Sequence, residues 1–406
     1  MLLIGGAALF SGARFGHRRL ARSAPLDAPL SDAAKALIAK SWEGLDPKKV
    51  LDVHVHIAGT GHDGSGCYVG ERLSSKTNPV EFLKYSIYKE ASGISDDAQC
   101  EVQWVERLAG LMKSQSPHGR GLVFAFDQFH TDDGVADKAR SEFFVPNAYA
   151  LKVAKNYPEV FLAAASVHPY RADAVAALEE AVAGGAVAVK WLPNAQNINP
   201  ASPKCDAFYD AMARLQVPLI SHAGEEKAVH AEELQRWGNP LLLRKALERG
   251  VTVCVAHCAS LGLNPDLDAP GQPMTDNFDL FMRLMRDPQW NGKLFGEVSA
   301  MTIVNRVGRP LTEVLRDDAI LARLVNGSDY PLPAINVLMQ TGAVAEKGFI
   351  TAKERELLNE IDRADPLLMD FVMKRCIRLR EDGKEKKFPD ATFMLRPEVF
   401  PRVVPA

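Results

Sequence analysis

At 406 residues, with 47% hydrophobic and 24% charged side chains, the chain has the composition of a soluble globular protein with room for one large α/β domain or two ordinary ones. A net charge of −3, with no dense basic stretch after the first 25 residues, argues against a nucleic-acid partner. The six cysteines show no C-x-x-C spacing, which excludes a disulfide scaffold and reads as reduced, packed thiols of a cytoplasmic protein.

The chain opens on MLLIGGAALFSGARFGHRRLAR, in which about ten apolar residues precede five Arg/His charges. The apolar run is too short to span a bilayer, and its charges follow it, the reverse of a secretory signal. Residues 1–30 are therefore expected to be a leader outside the fold, with weak membrane association or export as the alternative. Residues 31–406 then form one unit.

The first patterned element is VLDVHVHIA (50–58). Strand alternation sends Asp52, His54 and His56 to one face and Val53, Val55 and Ile57 to the other. A face with two imidazoles and a carboxylate is costly to bury unless something binds them. Residues 59–120 hold GTGHDGSG and two helix-like segments, EFLKYSIYKEA and QCEVQWVERLAGLMKS. They read as a cap over whatever the first strand presents, with His62 a weak candidate for substrate contact.

Seven more apolar runs follow: GLVFAFDQF (121–129), VFLAAASVH (160–168), AVAVKWLPN (186–194), VPLISHAG (217–224), VTVCVAHCA (251–259), LFGEVSAM (294–301) and LVNGSDYP (324–331). Between them lie segments of helical period such as DAVAALEEAVAGG, KCDAFYDAMARLQ and NPLLLRKALERG, the last stopped by Gly250. Residues 340–406 form a C-terminal helical extension. Eight buried runs alternating with helices predict a parallel sheet. The count favours a closed, distorted (β/α)8 TIM barrel, and no Gly-rich dinucleotide fingerprint follows any run.

Barrel chemistry collects at the C-terminal ends of strands. There the sequence puts His54 and His56 (first), Lys190 (fourth), His222 (fifth), His257 (sixth) and Asp329 (eighth). His130 and His168, ending the second and third runs, are weaker substrate candidates beside the commoner turn-capping role. Asp52 and Glu297 are expected to orient ligands, while Cys254 and Cys258, opposite in parity to His257, are expected to face the helices. Imidazoles plus a carboxylate suit a zinc-like ion with an open position for water. Such an ion lowers the pKa of that water toward neutrality and so supplies hydroxide. Asp329 can both bind the metal and move the proton. His257 is a ligand of a second ion or an acid that polarises the substrate.

DVHVH, ISHAGEE, VAHCA and NGSDYP together resemble the amidohydrolase superfamily. More narrowly they are similar to the amidohydrolase-related (amidohydrolase 2) metal-dependent hydrolases, a group that includes aromatic-acid decarboxylases. The resemblance spans about residues 48–380. It implies a divalent metal, most readily zinc, one or two ions per chain, held by His54, His56, His222 and Asp329. It makes His257 a further ligand in a binuclear site or an acid/base, and Lys190 either a carbamylated bridge or an unmodified cation beside the substrate. The expected activity is metal-dependent hydrolysis of a small-molecule amide, ester, lactone or related bond by metal-bound hydroxide. A non-oxidative decarboxylase on the same site is the closest rival and would need an Arg to grip a carboxylate, Arg72 and Arg171 being available. A catalytically silent binding barrel is the third reading. A small-molecule substrate and a homo-oligomer are the expected partners.

Overall fold

The computed structural model describes residues 20–21, 28–114 and 117–405. Eight parallel strands pair in sequence order: β1 (Leu51–His56), β2 (Arg120–Phe124), β3 (Phe161–Ala165), β4 (Ala186–Trp191), β5 (Leu219–His222), β6 (Val253–Ala256), β7 (Leu294–Glu297) and β8 (Leu324–Val325). The circle closes through the segment after β8. Val53 N donates to Asn326 O (2.9 Å), Asp329 N to His54 O (2.8 Å) and His56 N to Tyr330 O (3.1 Å). The expected TIM barrel is thus the fold, with β8 reduced to two paired residues.

Each predicted run locates its strand but overshoots the C-terminal end. Residues 125–127, 166–169, 257–260 and 298–303 are buried yet lie outside the strands. Polar side chains replace the ladder there: Asp127 Oδ2 accepts from His168 N (2.7 Å), and Gln196 Nε2 donates to Asp127 O (3.1 Å). Burial gives loop and strand the same apolar look, so composition alone cannot mark the boundary.

The barrel interior holds Leu51, Val53, Leu122, Phe124, Ala188, Ile220, Cys254, Phe295 and Val325. Its lower end is plugged by Leu395, Val399, Phe400 and Val403 of the C-terminal segment. Two parity expectations fail here. The β1–β2 register shifts between Asp52 and Val55, so Val53 and His54 both reach the interior, and Asp52 lines a small cavity on the helix side with Trp42, Met112 and Phe371. Such a bulge flips every later side chain by one. Cys254 is interior as well, whereas Cys258 packs in the outer helix layer. Alternation does not run from one to the other, because β6 ends at Ala256 and His257, Cys258 and Ala259 all take positive φ.

The insertion after β1 carries the helices Pro79–Ala91 and Cys100–Lys113, and the extension carries Ala352–Ala364 and Pro366–Cys376. Pro79 and Pro366 occupy first-turn positions, where a missing N–H costs nothing. Of the leader, residues 1–19 and 22–27 lie outside the described residues. Ala21 is buried against Ala91, Ala334 and Ile335 and bridges to Ile335. No helix among the described residues is long and apolar enough to cross a membrane.

Asp365 caps the last of these helices, accepting from Leu367 N (2.8 Å), Leu368 N (2.9 Å) and Ser114 Oγ (2.5 Å). Burial pushes its carboxyl up to about 6. A carboxyl raised above its unfolded value gives stability that is complete below about pH 4 and is lost as pH climbs through 6, by about 3 kcal/mol. Asp365→Asn is expected to flatten that dependence and raise the urea midpoint at pH 8. An unchanged or lower midpoint would mean that the ionised form is the one the fold prefers.

Candidate metal centre

The β1 bulge turns His54 inward, and the next alternation brings His56 to the same mouth. Glu297, fully buried at the end of β7, holds His54 Nδ1 through Oε2 at 2.9 Å. Ser299 Oγ donates to the same carboxylate at 2.6 Å, and Ser299 N also donates to it. Burial alone would raise Glu297, but its hydrogen bonds and the charge of Lys374 hold it low and ionised. A carboxylate on Nδ1 fixes the proton there, so His54 Nε2 carries the lone pair.

That Nε2 lies 3.2 Å from His56 Nε2 and 3.3 Å from Asp329 Oδ1, and the latter two atoms are 3.2 Å apart. Donors about 2.0–2.1 Å from a tetrahedral ion stand roughly 3.3 Å from one another. An imidazole Nε2 has one in-plane direction, so it cannot bond well to two such neighbours at once. One central ion satisfies all three. His54, His257 and Asp329 also form a cluster whose donor atoms all lie within 4.8 Å.

His222 ends β5, and its Nε2 is buried without a hydrogen-bond partner, while Nδ1 faces Glu226 Oε2 at 3.5 Å. A buried polar atom left unmade is expensive, and a ligand position is one way to satisfy it. His257 is held at Nδ1 by Ser299 Oγ (2.7 Å), leaving Nε2 3.7 Å from Asp329 Oδ2. Burial lowers both His222 and His257 well below the ordinary imidazole value and pulls His54 down to about 4, so all three are neutral at pH 7. Burial pushes Asp329 up, and the surrounding imidazoles of His54, His257 and His56 more than reverse it.

Lys190 sits in β4 with its ammonium 3.3 Å from His54 Nε2 and 4.9 Å above the Phe124 ring. Burial lowers it to about 8. Asp329 (φ +60°) and His257 (φ +56°) are both left-handed non-glycine residues. Strain of this kind costs about 1–3 kcal/mol and persists only where surrounding contacts enforce it.

The weaker candidates stand elsewhere. His168 uses both nitrogens, on Gln196 O (2.9 Å) and Tyr170 N (3.2 Å), and burial keeps it neutral. The His130 ring lies tilted against His168, centroids 4.4 Å apart, with Nδ1 on Gln128 O. His62 is exposed and bonds Thr60 Oγ1. Among the described residues none of these three hydrogen-bonds to or stacks on the cluster. Arg72 pairs with Glu142, and Arg171 with Asp127 and Asp173.

Three residues near the cluster escaped the sequence reading. Arg306 is 9% exposed, and its charge acts on Asp329, Glu226, His222 and His257. The one hydrogen bond of its guanidinium among the described residues is to Ser260 Oγ (3.2 Å), and its Nε has no partner. Glu226 was visible inside ISHAGEE. Tyr88, on the cap helix, donates to Ala228 O (3.1 Å) and is raised by burial and by the nearby Glu226 and Asp329 carboxylates. Arg306 and Tyr88 lie where no strand pattern signals them.

A family model described as Amidohydrolase matches residues 52–334. Among solved structures, the chain is similar to 5-carboxyvanillate decarboxylase from Sphingomonas paucimobilis (11% identity, TM-score 0.45, covering 87% of this chain and 99% of that one). It is also similar to 4-oxalomesaconate hydratase from Rhodopseudomonas palustris (14%, TM-score 0.44, 87% and 96%) and to a 2,6-dihydroxybenzoate decarboxylase (14%, TM-score 0.43, 80% and 99%). No curated protein sequence matches it.

Proposed function

We propose, for a chain that belongs to the amidohydrolase family, a metal-dependent hydrolase of a small-molecule amide, ester or lactone. The carrying observation is the triangle of His54 Nε2, His56 Nε2 and Asp329 Oδ1, with sides of 3.2–3.3 Å. These atoms would hold one divalent ion, with the orphaned His222 Nε2 as the fourth donor. Imidazole and carboxylate together suit zinc among the divalent ions. When bound, the ion supplies Lewis acidity and brings the pKa of a coordinated water near neutrality.

The protein's own residues do the rest. Asp329 Oδ2, 3.7 Å from His257 Nε2, would take a proton from the attacking water and return it to the leaving group. Neutral His257, its Nδ1 tied to Ser299, presents Nε2 beside that oxygen and can share the proton. Glu297 keeps His54 in the tautomer that binds. Tyr88, bonded to Ala228 O and within the field of the Glu226 and Asp329 carboxylates, would bring the helix Pro79–Ala91 over this side of the cluster and limit the water that reaches it. Lys190 acts as a free amine. Its Nζ stands 3.3 Å from His54 Nε2, a distance at which an unmodified ammonium can donate to the imidazole.

One observation favours the decarboxylase reading as the alternative. Arg306 is a buried guanidinium near the cluster with no ion pair within 4 Å among the described residues, which suits it to a substrate carboxylate. Purified enzyme is to be analysed for metal and offered neutral lactones and esters beside carboxylic acids, following product and released CO2. Arg306→Met is expected to raise KM about 100-fold for carboxylate substrates, the order lost with a buried charge partner. KM for neutral esters should stay within about threefold. Equal losses for both would remove Arg306 from substrate recognition, and CO2 release without hydrolysis would replace the hydrolase with the lyase.

A further inference from the structure

The residue that carries Asp329 into the site is held from outside the barrel. Between β8 and Asp329 the chain runs through Asn326, Gly327 and Ser328, and three backbone groups from Asn326 to Asp329 are taken by β1. Asn326 O accepts from Val53 N, Ser328 N donates to Asp52 Oδ1 (2.8 Å), and Asp329 N donates to His54 O. Gly327 O is not among them. It accepts instead from Lys374 Nζ at 2.5 Å, and the same ammonium is tied to Asp370 Oδ2 at 2.6 Å. Both side chains come from the C-terminal helix Pro366–Cys376 and are 1–2% exposed. Gly327 is wedged against the centre. A Cβ there would stand 2.7 Å from His54 Cβ and collide with Glu297 Oε1.

A buried ion pair contributes little net stability, because desolvation offsets its attraction. This one nevertheless spends a charge on a single backbone carbonyl, two residues before a left-handed Asp329 that needs enforcing contacts. We propose that Lys374, braced by Asp370, is a positioning residue for the metal centre: it clamps the Gly327 turn against His54 and Glu297 and so holds the Asp329 carboxylate in register with His54 and His56. The proposal rests on the metal reading above and adds to it that the C-terminal extension is part of the site's scaffold.

The test uses the full-length chain as wild type, Lys374→Met/Asp370→Leu and Asp370→Asn. The double variant removes both charges together and strands neither. Zinc affinity is to be read by competition with a chromophoric chelator, the cobalt-loaded forms by visible absorption, and the metal-free forms by thermal melting. The expected result is a melting temperature of the metal-free double variant close to wild type, a zinc dissociation constant raised at least tenfold, and a changed cobalt spectrum. Asp370→Asn, nearly isosteric, is expected to shift affinity in the same direction by a smaller factor. Wild-type affinity and spectrum in a folded double variant overturn the proposal, as does a lowered melting temperature with both metal readouts unchanged. If the double variant does not fold, unchanged affinity and spectrum in Asp370→Asn overturn it equally. A wild type that binds no zinc or cobalt ends the metal reading itself and this inference with it, whereas a wild type that binds while the variants match it ends this inference alone.

Discussion

Asp329→Ala is expected to strip the metal from purified protein and abolish turnover while leaving a folded barrel. Asp329 Oδ1 closes the triangle with the two histidine nitrogens, and Oδ2 lies 3.7 Å from His257 Nε2. The substitution therefore removes a donor and the proton carrier together. Losing a partner that only orients a ligand costs about 10–100-fold in metal affinity. Glu297→Gln, which loosens the His54 tautomer without touching the ion, is expected in that range. Asp329→Ala should exceed it, with turnover below detection. His54→Ala and His56→Ala belong with Asp329→Ala. Elemental analysis and far-ultraviolet circular dichroism on the same samples decide the matter: full metal occupancy in all three ligand variants would mean the ion, if any, sits elsewhere.

Lys190→Met is expected to retain one tightly held metal and to lose turnover by about a hundredfold or more. The amine stands 3.3 Å from His54 Nε2 and faces the carboxylates of Asp329 and Glu297, which partly offset the burial that lowers it to about 8. As an unmodified group it would contribute charge or a proton to the reacting substrate, not a bond to metal. Metal counting on wild type and variant is expected to give one ion per chain in each, with reconstitution indifferent to dissolved CO2. Two ions in the wild type, loss of metal in Lys190→Met and rescue by short carboxylic acids would instead establish a carbamate bridge. A lowered lysine pKa favours reaction with CO2 as well, so titration alone cannot separate these outcomes. Stoichiometry can.

The distribution of polar residues in the chain already carried much of this site. His54, His56, Lys190, His222, His257 and Asp329 could be grouped without coordinates, because a parallel barrel puts all its strand ends on one face and ligating chemistry stands out against apolar runs. For the same reason the fold was legible: eight buried segments separated by helical periods leave few other architectures. What composition and spacing could not convey were the breaks in period. The β1 bulge reversed Asp52 relative to His54, and the left-handed turn after β6 separated Cys254 from Cys258. Neither changes which residue types are present; both change which way they point.

Contacts between distant segments were equally hidden. Glu297 reaching His54, the orphaned His222 nitrogen, Arg306 near the His–Asp cluster and Lys374 on the Gly327 carbonyl each join residues far apart in the chain. Local periodicity reports only the face a side chain occupies within its own element, since it arises from backbone geometry repeated every two or 3.6 residues. Sequence by itself therefore determined the barrel and its family, and grouped the polar residues at one end of its strands. Tertiary structure alone decided the triangle of donors, the tautomers behind it and the buried charges that hold it, because distances across a barrel depend on how all eight strands close.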